Sequence, residues 1–524
     1  MLFNSFEFIF LFLPITFGLY FLLSKFNFSR MALVWLVVCS LFFYGWWNPA
    51  YLLLILFSML FNYFAGVLLG DSGMADTIRK LIVAIGVLVN LCLLGYFKYT
   101  NFIVEQVNWA FDSNYHLEKI ILPLAISFFT FQQIAYLVDA YRHETKEYSF
   151  LHYCLFVTFF PQLIAGPIVH HKEMLPQFAN SMSERLNLKN LSVGITIFTI
   201  GLFKKVILAD SVALYATPVF AAAEAQTAIT FFEAWGGALA YTLQLYFDFS
   251  GYSDMAIGIA FMFGITLPIN FNSPYKSTSI IDFWRRWHMT LSRFLRDYLY
   301  FALGGNRHGN ARRYVNLFLT MLLGGIWHGA GWTFVVWGML HGSYLMVNHA
   351  WRKLRSNWLQ WSGPIPNWEK FAARTITLLA IIVGWVYFRA QSLQGANHML
   401  TAMVGANGIS VPASLQSTLG DFSATLQHFG IVFGGMFGNT KADFGEGIFW
   451  ILLLMPVALF FPNSIQIANS LFKLNLGRLT EWANRNPKIK RPFMAKSIPL
   501  IVGIAFGIVV INLFKVSEFL YFQF

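Results

Sequence analysis

Charged residues are scarce in this sequence. Asp, Glu, Lys and Arg make up only 11% of its 524 residues, against about a quarter in an average soluble domain, and 57% are hydrophobic. The apolar residues form many separate runs along the whole length, which excludes a water-soluble globular fold and any domain count taken from length. Cysteine is nearly absent: Cys39, Cys92 and Cys154 each sit inside an apolar run, where a thiol packs as a small hydrophobe. Neither a disulfide framework nor a CxxC site is available. The patterns GxxxxGKS/T, GxSxG and HExxH are missing, so phosphate-loop, hydrolase-elbow and zinc-protease readings have no support. No internal repeat of the inverted-transporter kind and no low-complexity segment is visible. No metal and no tightly bound cofactor are expected.

What is present is a series of runs long enough for a bilayer, which needs about 20 largely apolar residues per helix. They lie near residues 8–23, 32–47, 50–70, 81–97, 120–140, 191–209, 230–247, 252–267, 315–338, 374–390, 447–463 and 498–516. The pattern predicts an all-α polytopic membrane protein with about 11–12 membrane helices plus re-entrant and interfacial helices. The first run, "FIFLFLPITFGLYFLL", follows Glu7 with no Lys or Arg ahead of it and no small-residue cleavage site after it, so it reads as a membrane helix rather than a signal peptide. "FLHYCLFVTFFPQLIAGPIV" (150–169) is interrupted by Pro161, Gly166 and Pro167. Broken backbone at membrane depth survives only inside protein or beside a cavity, so a kinked or re-entrant element is expected there.

The formal charge of +12 is concentrated in a few loops. Residues 274–313 hold Lys276, Arg285, Arg286, Arg293, Arg296, Arg307, Arg312 and Arg313; residues 473–496 hold Lys473, Arg478, Arg485, Lys488, Lys490, Arg491 and Lys496. Excess Lys and Arg mark cytoplasmic loops, so the charge speaks of orientation, and no nucleic-acid partner is expected. The stretch 391–446 sets Lys441 against Asp421, Asp443 and Glu446 and is expected outside. Because 352–374 is basic again, residues 314–351 are expected to leave the cytoplasmic side and return as a short hairpin, with His328 near its deepest point.

Four segments carry candidate chemistry. In "DFWRRWHMTLSRFLRDYLY" (282–300), helical spacing gathers Trp284, Trp287, Leu291, Phe294, Leu295 and Tyr298 on one face, with arginines elsewhere, which predicts a basic amphipathic helix at the interface. Two readings stand: an anchor for anionic lipid, or a site where Arg285, Arg286, Arg293 and Arg296 attract a phosphate-bearing substrate while His288 points into a reaction chamber. "LLGGIWHGAGWTF" (322–334) sets His328 among Gly324, Gly325, Gly329 and Gly331. Small residues there serve helix packing, with Trp327 and Trp332 as an interfacial belt, or they leave room for a substrate. Ionisable groups at membrane depth are costly and usually functional, and imidazole suits proton transfer near neutral pH. "LYFDFSGYSDMAIG" (245–258) places Asp248 and Asp254 in an otherwise apolar run. The acids either serve buried partners or an ion path, or satisfy amides freed by a helix break at Ser250–Ser253. "FFPQLIAGPIVHH" (159–171) adds Gln162, His170 and His171; neighbouring histidines point apart on a helix and make a weak metal pair.

These segments, with "LPLAISFFTFQQIAYLVDAYR" (122–142), "NFNSPYKSTSIIDFWRRWHMTLSRFLRDYLYFALGGNR" (270–307) and "LFLTMLLGGIWHGAGWTFVVWGMLHG" (317–342), closely resemble bacterial membrane-bound O-acyltransferases of the alginate O-acetyltransferase membrane-subunit type. The likeness extends from "LFNSFEFIFLFLP" to "EFLYFQF" and is weakest across 391–446 and 465–497. It implies one transmembrane domain over 1–524, with a catalytic core near 120–345, in the bacterial inner membrane. It also implies acetyl transfer from acetyl-coenzyme A through a tunnel to an exported polysaccharide, alginate first, beside a periplasmic partner of the SGNH-hydrolase type. By the resemblance, His328 of the WHG motif is the essential catalytic residue and His288 of WRRWH a second one. Asp248, Ser250, Ser253, Asp254, Gln162 and Trp327 are expected along the tunnel. Cellulose, peptidoglycan, teichoic acid or a lipid are alternative acceptors, and a proton-coupled transporter is the rival from another class.

The chemistry asked of such a site is simple to state. A thiol ionises near pH 8.5 and leaves readily, so the difficulty lies in activating the accepting hydroxyl. An apolar setting disfavours imidazolium, leaving His328 neutral and able to take that proton during direct attack, which is preferred to an acyl-histidine intermediate. His288 or the Asp248–Asp254 segment is expected to orient reactants or to stabilise the oxyanion. Coenzyme A phosphates cannot enter hydrocarbon and belong at the basic face.

Overall fold

The computed structural model describes residues 1–71, 73–145, 149–179, 188–357, 366–434, 444–472, 494–514 and Leu520. The basic stretch expected inside at 473–496 falls almost wholly outside these residues. The described chain is almost entirely helical, with two three-residue strands, Ile409–Val411 and Ile431–Phe433, paired in parallel within the 391–446 stretch. Five described helical stretches are long and apolar enough to cross a membrane: Phe8–Lys25, Tyr51–Gly70, Asp76–Phe111, Leu188–Glu224 and Asn367–Arg389. Gly445–Phe460 and Ser464–Phe472, bent by 56° where they join, meet the same measure only when taken together, as a broken span or a re-entrant loop does. The remaining expected spans are too short or too polar by that measure, because the central helices bury their polar groups in protein. The outer helices instead present large apolar side chains outward, such as Leu53 at 74% exposed and Leu88 at 60%, a surface that only lipid can cover. The molecule is an all-α, multi-pass membrane protein.

Eight helices position the site: α1 (Asp76–Phe111), α2 (Ile126–Tyr141), α3 (Leu188–Phe203), α4 (Asp210–Glu224), α5 (Phe231–Met262), α6 (Gly309–His328), α7 (Trp332–Asn357) and α8 (Asn367–Arg389). The core is α5, buried over nearly its whole length and begun by a capping box between Thr230 and Glu233. It corrects the expectation of separate spans at 230–247 and 252–267 and of a break at Ser250–Ser253. No amide is freed there: Ser250 Oγ bonds back to the Tyr246 carbonyl at 2.5 Å, and the helix continues. α3 lies against it through glycines spaced seven apart on each helix. A Cβ on Gly201 would stand 2.6 Å from the Gly251 carbonyl oxygen, and one on Gly194 2.6 Å from that of Gly258. Small residues let membrane helices approach this closely.

The run 315–338 is not one helix either. α6 ends at His328, and α7 starts at Trp332, so the expected hairpin has His328 at its turn. Gly325 and Gly338 seat the two arms, since a Cβ on Gly338 would lie 2.7 Å from the Met321 carbonyl oxygen. A Cβ on Gly329 would collide with the Phe334 ring. These glycines serve packing rather than open space. Trp332 is 52% exposed and fits a belt, whereas Trp327 is buried.

The segment 282–300 is also broken. Ile280–Trp284 and Met289–Phe294 are separate helices, and His288 between them adopts φ 41°, ψ 53°. The cause is tertiary: Asn272 N–H donates to the Arg286 carbonyl and Met289 N–H to the Asn270 carbonyl, each at 2.9 Å, which draws the chain out of the helix. The expected kink at 150–169 is present as Phe150–Thr158, a bend at Phe159 and Phe160–Leu163, all buried except its first residues.

Candidate active site

Three cavities meet the candidate residues. The largest, about 860 Å³, is lined by Arg285, Arg286, Arg293, Arg296, Arg313 and His349 together with Trp284, Met289 and Met321. A chamber of about 20 Å³ is lined by Asp248, Phe249, Trp287, His288, His328, Trp337, Trp385, Phe388 and Leu520. The third, about 270 Å³, is lined by Lys98, residues 121–128, Trp327 and, again, His328. His328 therefore borders both the chamber and the third cavity. The turn at 285–289 separates the chamber from the arginine-lined cavity: Trp287 and His288 face one, Arg286 and Met289 the other.

His328 is held by rings. Trp327, Trp337 and Phe388 lie with centroids 4.9, 5.1 and 5.2 Å from the imidazole, each near edge-on, and no described side chain hydrogen-bonds its ring nitrogens. His288 is held differently. Its Nδ1 lies 3.0 Å from Asn270 Oδ1, which also accepts from Thr290 Oγ1 at 2.9 Å. An amide oxygen only accepts, so Nδ1 carries the proton and Nε2 is left with its lone pair. Nε2 is buried and has no partner among the described residues. Asn270 Nδ2 in turn reaches Ser253 Oγ at 3.3 Å.

The two acids part company. Asp248 lines the chamber, with Oδ1 on Lys205 Nζ at 2.7 Å and Oδ2 without a partner among the described residues. Lys205 also meets Asp210 at 2.7 Å. Asp254 faces away, held by Lys204 at 2.8 Å and Ser464 Oγ at 2.5 Å. Both lysines sit on Lys204–Ala209, where the backbone widens into a π-helical turn, a feature frequent at functional sites. Among the described residues the Ser250 hydroxyl bonds only within its own helix. Gln162 ties the kinked element together by donating to the Phe156 carbonyl at 2.6 Å. Of the six expected tunnel residues, then, Asp248 and Trp327 line cavities, Ser253 supports Asn270, and Ser250, Asp254 and Gln162 hold structure.

The four arginines all border the 860 Å³ cavity, but three are committed. Arg286 pairs with Asp282 at 3.0 Å, Arg293 holds Glu173 through two bonds of 2.5 and 2.9 Å, and Arg296 meets Asp297 at 2.7 Å. Arg285 has no ion pair among the described residues. Beside it, Arg313 Nη2 donates to His349 Nδ1 at 3.0 Å. His349 lies on the basic end of α7, beyond its apolar run. Burial first, then Arg313, Arg352 and Arg285, push its pKa down to about 4, so it is a neutral acceptor near pH 7.

Asn270, Lys98 and His349 escaped the sequence reading, and Arg313 entered it only as part of a basic loop. Lys98 had a usable signal, a cation at the end of the apolar 81–97 run with further apolar residues after it; Asn270 had none, since its role comes from a loop folding onto a turn.

A family model for membrane-bound O-acyltransferases matches residues 78–388, a span that holds both histidines and all three cavities but for a few lining residues. The chain belongs to the membrane-bound O-acyltransferase family. This acyltransferase is 47% identical over 441 residues to the peptidoglycan O-acetyltransferase of Helicobacter pylori, covering 78% of this chain and 81% of that one. It is 40% identical over 459 residues to a Pseudomonas syringae pv. tomato protein named probable alginate O-acetylase AlgI, covering 85% and 84%. A more distant match, 28% over 286 residues, is the teichoic acid D-alanyltransferase of Streptococcus thermophilus, covering 52% of this chain and 69% of the relative.

Proposed function

We propose that this O-acyltransferase moves an acetyl group from acetyl-coenzyme A at the cytoplasmic face of the inner membrane to a hydroxyl of an exported polysaccharide, with His328 as general base. The observation that carries the reading is that His328, alone among the described residues, borders both the chamber and the 270 Å³ cavity. On this reading the thioester arm of the donor passes the turn at 285–289 into the chamber, the acceptor enters by the 270 Å³ cavity, and the two meet at His328. In the reaction the hydroxyl oxygen attacks the thioester carbonyl, His328 takes the hydroxyl proton, the C–S bond breaks, and the proton passes to the departing thiolate. Atoms and charge balance without a cofactor. His288, an acceptor at Nε2, orients a hydroxyl or amide of the reactants; it cannot donate to the oxyanion in this tautomer.

The small chamber supports a short acyl group, since about 20 Å³ is little more than the room one water needs. Acetyl is the group named in both the peptidoglycan and the alginate relatives. Alginate is the acceptor expected from the sequence, and the 47% identical relative makes peptidoglycan the second reading. A periplasmic partner of the SGNH-hydrolase type would complete delivery. The test is a cell assay with expression matched: ester-linked acetate is measured in alginate and in peptidoglycan for wild type and His328→Ala. Loss in one polymer names the acceptor; unchanged acetate in both removes the reading.

A further inference from the structure

We infer that Lys98 is the positioning residue of this enzyme, fixing His328 by capping the helix that His328 terminates. The inference rests on the reading of His328 as the base. α6 ends at His328, and Gly329 after it is extended, φ −161°, ψ 155°. Helices usually close with a reversed turn whose N–H groups return to the last carbonyls. An extended residue cannot supply them, so these carbonyls need other donors. They come from α1, more than 200 positions earlier in the chain: Lys98 Nζ donates to the Trp327 carbonyl at 2.5 Å and to the His328 carbonyl at 2.9 Å, and Tyr99 OH donates to the Ile326 carbonyl at 2.7 Å. Three successive carbonyls, ending on that of His328 itself, are thus held by two adjacent side chains.

A cation is the donor suited to this place. It complements the negative end of the helix dipole, and its third N–H points toward Ser127 Oγ at 3.5 Å. The ammonium also lies 5.7 Å from the Trp327 ring centroid. Lys98 is only 9% exposed, and burying an ammonium at membrane depth is expensive unless its donors are used. A packing role would be met better by Met or Leu. Because no described side chain hydrogen-bonds the His328 ring, which rests against Trp327, Trp337 and Phe388, the backbone anchor decides where the ring stands between the chamber and the 270 Å³ cavity. Lys98 lines that cavity beside it.

Misplacing a catalytic group by about 1 Å can cost about 100-fold in rate. The experiment uses the full-length protein in proteoliposomes with acetyl-coenzyme A and the acceptor identified by the cell assay. It compares wild type, His328→Ala, Lys98→Met, Lys98→Arg and Tyr99→Phe. Wild-type transfer abolished by His328→Ala validates the base; transfer indifferent to His328→Ala defeats that reading and this one with it. Given the first result, Lys98→Met is expected to lower kcat about 100-fold with the donor KM within twofold and the protein still eluting as a single species, although two carbonyls lose their donor. Lys98→Arg, which keeps the charge and donors, should recover to within tenfold of wild type, and Tyr99→Phe should lose less than Lys98→Met. A Lys98→Met kcat within threefold of wild type, or a loss in Lys98→Arg as deep as in Lys98→Met, overturns the proposal. Should Lys98→Met not fold, Lys98→Gln is judged by the same kcat and KM criteria.

Discussion

His288 holds a left-handed backbone that costs a side-chain-bearing residue about 1–2 kcal/mol, and glycine would relieve it. The imidazole must therefore be worth the strain, and Asn270 shows how: one amide oxygen fixes the ring's tautomer and the Thr290 hydroxyl together. Replacing Asn270 with Ala frees the ring to turn and to protonate on either nitrogen. Acetyl transfer by Asn270→Ala is expected to fall about 100-fold while the protein still elutes as a single species; transfer within threefold of wild type would separate His288 orientation from catalysis. Asp248 predicts a different phenotype. It shares buried Lys205 with Asp210, and removing one partner of a buried pair costs about 3–5 kcal/mol. Asp248→Ala should lower the melting temperature in detergent as well as the activity. Lowered activity at an unchanged melting temperature would show that Asp248 acts on the reactants alone.

Helices predicted from hydropathy were placed well where lipid or packing alone decides the structure, and badly where distant hydrogen bonds do. The hairpin of α6 and α7 was legible from charge, because basic loops on both sides oblige 314–351 to return. The break at 285–288 was not, because "WRRWH" contains no turn residue; the backbone bonds to Asn270 and Asn272 that cause it come from a loop whose approach no local pattern announces. Likewise Asp248 and Asp254 look alike in sequence, and only the facing π-helical turn assigns one to the chamber and the other to structure. For the glycines of the hairpin the sequence leaves packing and substrate space both open; the contacts at Gly325 and Gly338 favour packing, and that role is testable. A side chain at Gly338 meets backbone of α6 on three atoms between 2.7 and 3.1 Å, which cannot yield as a flexible side chain would. Gly338→Leu should therefore spread the hairpin, lowering the melting temperature and displacing His328. A fully active, equally stable Gly338→Leu protein would mean that the arms are not in close contact.

At the scale of the molecule, the proposed function assigns the donor to the cavity lined by arginines and the acceptor to the 270 Å³ cavity that His328 shares with the chamber. That division predicts where phosphate recognition must occur. Three of the four arginines picked out by sequence are neutralised by Asp282, Glu173 and Asp297, so on the proposed function donor binding falls to Arg285 and to Arg313, whose neighbour His349 is neutral. A hydrogen bond to a charged group is worth about 1.5–3 kcal/mol, and each 1.4 kcal/mol is a factor of ten in affinity. Arg285→Gln and Arg313→Gln should each raise the acetyl-coenzyme A KM about tenfold or more with kcat nearly unchanged, since neither touches the reacting carbonyl. Arg286→Gln should do less, because Asp282 already occupies it. The control lies in the donor: S-acetylpantetheine has the same thioester and arm but no phosphate, so its KM should be indifferent to all three substitutions. Equal KM increases for both donors would show that these arginines shape the cavity rather than bind phosphate. A KM for acetyl-coenzyme A that stays at the wild-type value in both Arg285→Gln and Arg313→Gln would move the nucleotide away from this cavity altogether.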